Sequence, residues 1–244
     1  MALTGTNRGS GSNAVAATSY SMTTASNAAS GSLLVFCVAY DNAGGGGADP
    51  FNSISDGTSN VWTSRIAVLN DPGAASAGSV LRIFTCTLTA TFVAATDFVV
   101  VSFGNTSTTA KAWTFTEVSG DSGTATYVTG NSATGNATTQ TITSGSITSG
   151  NLILGALGQE GNGTRTGDSD TTNGSWSTAQ SNGAGTTTSG MEIITQYKVV
   201  NATGTQTFNP TATPLGDWGI GWIEVNEVIS TSFDPFGMMG FYGI

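Results

Sequence analysis

The feature that most constrains this chain is an apolar run that occurs twice. Leu33-Leu34-Val35-Phe36-Cys37-Val38-Ala39-Tyr40 follows Ser30-Gly31-Ser32 and ends on Asp41, and Leu152-Ile153-Leu154-Gly155-Ala156-Leu157 follows Ser149-Gly150-Asn151 and closes on Gln159, Glu160 and Gly161. Each run is too short and too uniformly apolar for an amphipathic helix, so each predicts a central strand buried on both faces. The residues that follow also correspond. Asp56 precedes Trp62-Thr63-Ser64 as Asp170 precedes Trp176-Ser177-Thr178. Val80-Leu81-Arg82-Ile83-Phe84-Thr85 is answered by Met191-Glu192-Ile193-Ile194-Thr195-Gln196-Tyr197, and Phe115-Thr116-Glu117-Val118 by Trp222-Ile223-Glu224-Val225. The spacing between matched positions shrinks along the chain, as shorter loops in a second copy produce, and the pattern predicts an internal duplication.

A chain of 244 residues can bury a full core as one domain. Only 9% of its residues are charged and 34 are glycine, a balance that would suit disorder, but its 38% hydrophobic content is gathered in strand-length runs that offset the cost of ordering. Turn signals separate roughly a dozen such segments and none shows helical amphipathicity. The prediction is an all-β, jelly-roll-like antiparallel β-sandwich built from two sequence-related halves. Residues 1–17, rich in small polar residues, read as an N-terminal arm; the sandwich spans 18–228, with halves at about 18–120 and 137–228; residues 229–244 form an apolar tail. Between the halves, a stretch rich in Gly, Thr, Ser and Asn either crosses over or adds a strand around Thr126-Tyr127-Val128.

Net charge is −9, and the six cations, Arg8, Arg65, Arg82, Lys111, Arg165 and Lys198, are scattered. A nucleic-acid surface needs clustered cations, as does attraction to an anionic membrane, so neither partner is expected. No window reaches the roughly 18 to 20 apolar residues that cross a bilayer. The first residues lack the charged and apolar regions of a secretory signal, which predicts a product made in the cytoplasm. Cys37 and Cys86 sit in apolar strand segments, as two buried free thiols or, alternatively, as a disulfide between neighbouring strands.

The chain contains no histidine, which removes Ser-His-Asp and Cys-His pairs and every His metal site. No phosphate-binding or dinucleotide fingerprint is present, and no cofactor is expected. Four carboxylates merit attention. Glu117 and Glu224 end the two copies at matched places and are the one pair that glycoside hydrolysis could use, although a structural Glu is the ordinary reading, and no catalytic residue is assigned. Asp168 and Asp170, with Thr166 and Asn173, supply oxygen ligands of the kind calcium takes, without EF-hand spacing. Trp62 and Trp176 read as duplicated core anchors or, alternatively, as stacking faces for sugar rings. Phe233, Phe236, Met238, Met239, Phe241, Tyr242 and Ile244 make the tail unusually apolar and suit docking to a partner.

The Ser-Gly-x-Leu-Leu-Val strand, the Asp-to-Trp turn, Lys111-Ala112-Trp113 through Glu117-Val118, Tyr197-Lys198-Val199 and Asp217-Trp218 together resemble the Ser/Thr/Gly-rich duplicated sandwich proteins among tailed-phage virion proteins and related fibre-like proteins. The resemblance covers roughly residues 18 to 228. It implies a jelly-roll-like, non-enzymatic structural protein of the virion: a capsid cement or decoration protein, or a fibre or tail component. The expected partners are the major capsid protein or another virion subunit, and further copies of the chain, as a trimer. A receptor-binding module that recognises glycans is the alternative.

Overall fold

The computed structural model describes residues 3–41, 48–73, 78–136, 139–186, 189–214 and 216–229. Among them the chain is all β. The first half contributes β1 (Thr4–Asn13), β2 (Ser19–Met22), β3 (Leu33–Asp41), β4 (Ser53–Asp56), β5 (Thr63–Asn70), β6 (Ser79–Thr87), β7 (Val99–Ser102) and β8 (Lys111–Ser119). The second contributes β9 (Thr124–Gly135), β10 (Ile142–Ile147), β11 (Leu152–Glu160), β12 (Thr164–Thr166), β13 (Gln180–Ala184), β14 (Met191–Val199), β15 (Gly204–Phe208), β16 (Thr211–Thr213) and β17 (Trp218–Val228).

Two five-stranded antiparallel sheets form the middle of the molecule, ordered β1-β8-β3-β6-β5 and β13-β14-β11-β17-β9. Read from the opposite end, the second has the order of the first, with each half's first strand paired to its last. Leu33 lies opposite Val118 as Leu152 lies opposite Val225, so Glu117 and Glu224 fall beside Leu34 and Ile153. A three-stranded sheet, β2-β7-β4, covers the outer face of the first sheet, and two pairs, β10-β15 and β12-β16, cover that of the second.

This layering explains the repeated apolar runs. In β3 and β11 all nine residues are buried, because each is the middle strand of a sheet covered on both faces. Side chains alternate across a strand. Leu33, Val35, Cys37 and Ala39 therefore meet Leu152, Leu154 and Ala156 in a shared central core, together with Leu81, Ile83, Ile193 and Ile223. Leu34, Phe36, Val38 and Tyr40 point the other way, into a core rich in aromatic residues. Ile153 and Leu157 enter a third core with Trp176, Phe208, Trp218 and Trp222. At Gly158 the sheets approach so closely that a Cβ would lie 2.7 Å from the Cβ of Ala39.

One sequence expectation needs correction. Thr4–Asn13, expected as part of an arm, is an edge strand paired with β8 along its whole length. Its Ser, Thr, Gly and Asn residues carry no alternation because pairing and side-chain hydrogen bonds hold it: Ser12 Oγ reaches Asn182 Oδ1 and the Gly183 carbonyl, both at 2.8 Å, and Tyr197 donates its hydroxyl to the Gly5 carbonyl. The stretch rich in Gly, Thr, Ser and Asn adds a strand around Thr126-Tyr127-Val128, the second of the two alternatives: β9 pairs with β17 at the edge of its sheet. Cys37 and Cys86 are free and face opposite sides of one sheet.

Candidate functional site

The matched glutamates do not converge. Leu34 and Ile153, their register partners, belong to the two different outer cores, so both inner sheets separate Glu117 from Glu224. Packed sheets lie about 10 Å apart, already more than the roughly 5 to 9.5 Å between the two carboxyls of a glycosidase. Each instead holds a turn before its neighbouring central strand. Glu117 pairs with Arg8 and accepts the Ala29 N–H at 3.0 Å; Glu224 accepts the Asn151 side-chain amide at 2.7 Å and the Thr148 N–H at 3.3 Å.

Asp168 is buried and committed. Its carboxylate accepts the N–H groups of Asp170 at 2.7 Å and Asn209 at 3.0 Å, tying two loops together. Asp170 accepts the Thr172 N–H, and this bond with that hydroxyl holds its carboxyl below the usual range; Lys198 lies 3.7 Å away. Among the described residues, no three His, Cys, Asp or Glu side chains gather where they could hold a metal ion.

The tryptophans are core anchors with different polar ends. Trp62 meets Phe36 edge-on at 6.1 Å and donates its indole N–H to Asp56 at 2.9 Å. Trp176 is buried against Phe208 at 5.0 Å, its indole N–H has no partner, and Lys198 caps its ring at 4.8 Å. Trp176 therefore offers no face to a sugar. The docking candidates Phe233 to Ile244 lie outside the described residues.

All six Lys and Arg side chains are engaged within the chain. Arg8 pairs with Glu117, Arg82 with Asp49 and Arg165 with Glu192. Arg65 donates to Thr85 and lies 4.2 Å over Tyr127, joining edge β5 to edge β9. Lys198 donates to the Thr172 carbonyl. Fully buried Lys111 donates to the carbonyls of Val15, Thr108 and Thr109 at 2.8 to 2.9 Å; burial lowers its ammonium to about 8, against the pull of Asp41. Sequence spacing gave no sign of this, since every partner is brought in by another segment or by a turn.

Two open grooves lie among the described residues that line the sheets. One of about 320 Å³ is lined by Asn60, Val61, Thr63, Arg65, Thr85 and Thr87 among others; the second, of about 340 Å³, lies over Glu117 between the 29–32 and 119–124 segments. Their linings are mostly hydroxyl and small groups, with Arg65 in the first and Glu117, already paired with Arg8, in the second. Comparison with protein-family models, curated proteins and solved structures finds no match to this chain.

Proposed function

We propose that this chain is a non-enzymatic structural protein of a virion, of the capsid cement or decoration type, and that it attaches through its apolar tail. The observation that carries this reading is strand order. In each half the first strand pairs with the last, β1 with β8 and β9 with β17, and nested within them β2 pairs with β7, β3 with β6, β10 with β15 and β11 with β14. This nesting supports a jelly-roll reading, an architecture used by viral capsid and lectin domains. The same order in both halves supports an origin by duplication. Chemistry narrows the choice in the same direction: the cations and the matched glutamates are spent on the body itself, leaving an acidic surface rich in hydroxyl groups. Because β1 is built into a sheet, attachment falls to the segment after β17, and Val228 and Ile229, the last described residues, are exposed.

Mass photometry of the whole chain and of a chain ended at Ser232 tests this. A discrete oligomer that reverts to monomer on truncation supports assembly through the tail. Monomers in both cases overturn it and favour the second reading, a glycan-binding module. That reading draws on the groove lined by Asn60, Val61, Thr63 and Arg65, where Arg65 and Thr87 offer hydrogen bonds next to an apolar Val61 that is 80% exposed. It requires glycan binding that is lost in Arg65→Ala.

A further inference from the structure

At one end of the central core, three buried oxygen atoms from both sheets are left without partners. Asp41 ends the inward row Leu33, Val35, Cys37, Ala39, and Glu160 ends the corresponding row Leu152, Leu154, Ala156, Gly158; each is the ninth residue of its nine-residue strand. Ser79, opposite Asp41 in the β3-β6 register, begins the inward row of Leu81 and Ile83. Glu160 Oε2 accepts the Gly78 N–H at 3.3 Å, which brings its carboxylate across the gap between sheets to the start of β6. Asp41 is 2% exposed, Ser79 0% and Glu160 7%, yet Asp41 Oδ1, Ser79 Oγ and Glu160 Oε1 have no hydrogen-bond partner.

The surroundings offset this buried charge only in part. Lys111 attracts Asp41, but its ammonium is directed to three carbonyls. Asn70 spends its side-chain amide on the Gly135 carbonyl at 2.7 Å and on Asp217 and the Trp218 carbonyl at 3.4 Å. Asp217, whose carbonyl accepts the Glu160 N–H, adds a further carboxylate to the neighbourhood, and Asp71 lies near it. Buried carboxylates are kept only when paired, protonated or bound to a metal.

We propose that Asp41, Ser79 and Glu160 form a binding site for a hard divalent cation of the calcium class, joining the two inner sheets at the end of their shared core. The donors are all oxygen, the set that calcium prefers and softer metals do not. Two carboxylates and a hydroxyl supply fewer than the six to eight ligands calcium takes, so backbone carbonyls and water complete the shell, and a dissociation constant of about 10⁻⁴ to 10⁻³ M follows from so low a ligand charge.

The test uses the whole chain, stripped with a chelator and titrated with CaCl₂ by calorimetry, with thermal unfolding recorded alongside. One equivalent of Ca²⁺ binds and raises Tm, and Asp41→Asn and Glu160→Gln each weaken binding at least tenfold. Both variants remain folded in chelator, because an amide removes the buried charge that the cation neutralises; should one fail to fold, the other decides. Asp168→Asn keeps the calcium response. Absence of calcium-dependent heat and Tm shift in the native chain overturns the assignment, as does a response that persists in both variants. A Tm indifferent to calcium but rising as pH falls overturns it too, showing that a proton occupies the place.

Discussion

The outer faces of the two inner sheets are built on one backbone plan from unlike chemistry. In the first half Phe36 stacks on Phe115 at 4.8 Å and on Phe84 at 6.0 Å, with Trp62 at its edge. The register places Gly155 where Phe36 stands, with Trp222 and Gln196 in place of Phe115 and Phe84. Phe208 of the outer layer fills the space over Gly155, so closely that a Cβ there would lie 2.5 Å from its ring. Gln196 holds its neighbouring loop by polar bonds instead, accepting the Asp168 N–H at 2.6 Å and donating to the carbonyls of Asp168 and Ser177 at 3.0 and 2.7 Å. At the strand ends, Tyr40, Arg82 and Asp49 form a hydrogen-bonded cluster in one half, while Gln140, Gln159, Glu192 and Arg165 form an amide and carboxylate network in the other. The common strand order thus depends on each layer being filled, by stacked rings in one half and by a ring and an amide in the other, and not on any one set of side chains.

That difference can be broken one half at a time. Phe36→Ala removes the ring at the centre of the aromatic core and lowers unfolding free energy by about 3 to 5 kcal/mol in urea titrations. Gln196→Leu keeps the bulk but orphans two carbonyls and an N–H, for a loss of about 2 to 4 kcal/mol. Gly155→Ala costs about 1 to 3 kcal/mol through overpacking, and a second change, Phe208→Leu, recovers part of it; the same second change in the native background is destabilising. If Phe208→Leu gives no relief to Gly155→Ala, the ring does not occupy the place of Phe36.

The smallest effect is a contrast in acid response. Asp56 is partly desolvated, yet hydrogen bonds from Asn60, Trp62 and Thr58 hold its carboxyl below 3.8. Its stabilisation is present above that value and is lost as pH falls through its folded pKa. Burial pushes Glu192 above 4.5, against the Gly163 N–H and Arg165. Its contribution is therefore present below 4.5 and lost as pH rises through its folded pKa. Subtracting the Tm–pH profile of Glu192→Gln from that of the native chain should leave a difference that falls with rising pH, and the same subtraction for Asp56→Asn one that rises from the acid end.

The strands that were legible in the sequence are those whose burial leaves a mark. β3 and β11 read as unbroken apolar runs because both faces are covered, and Glu117 and Glu224 were visible as matched endings. β1 was illegible because an edge strand of Thr, Gly, Ser and Asn is defined by the partner it finds, and the short β13 likewise. Among the carboxylates, closeness in sequence drew attention to Asp168 and Asp170, whose oxygens meet nearby backbone N–H groups. Asp41 and Glu160 stood in plain view as the endings of the two matched runs. Their meeting depends on sheet stacking, which spacing along the chain does not encode.

The central claim is that the two halves share one core and form a single cooperative body. Native-state hydrogen exchange across a series of low denaturant concentrations tests it most directly, by comparing the amides of β3 with those of β11. A single body predicts that the slowest amides of both strands exchange with the same free energy and the same denaturant dependence, equal to those of global unfolding. Exchange of one central strand through an opening of clearly lower free energy, with the other still protected, would contradict it.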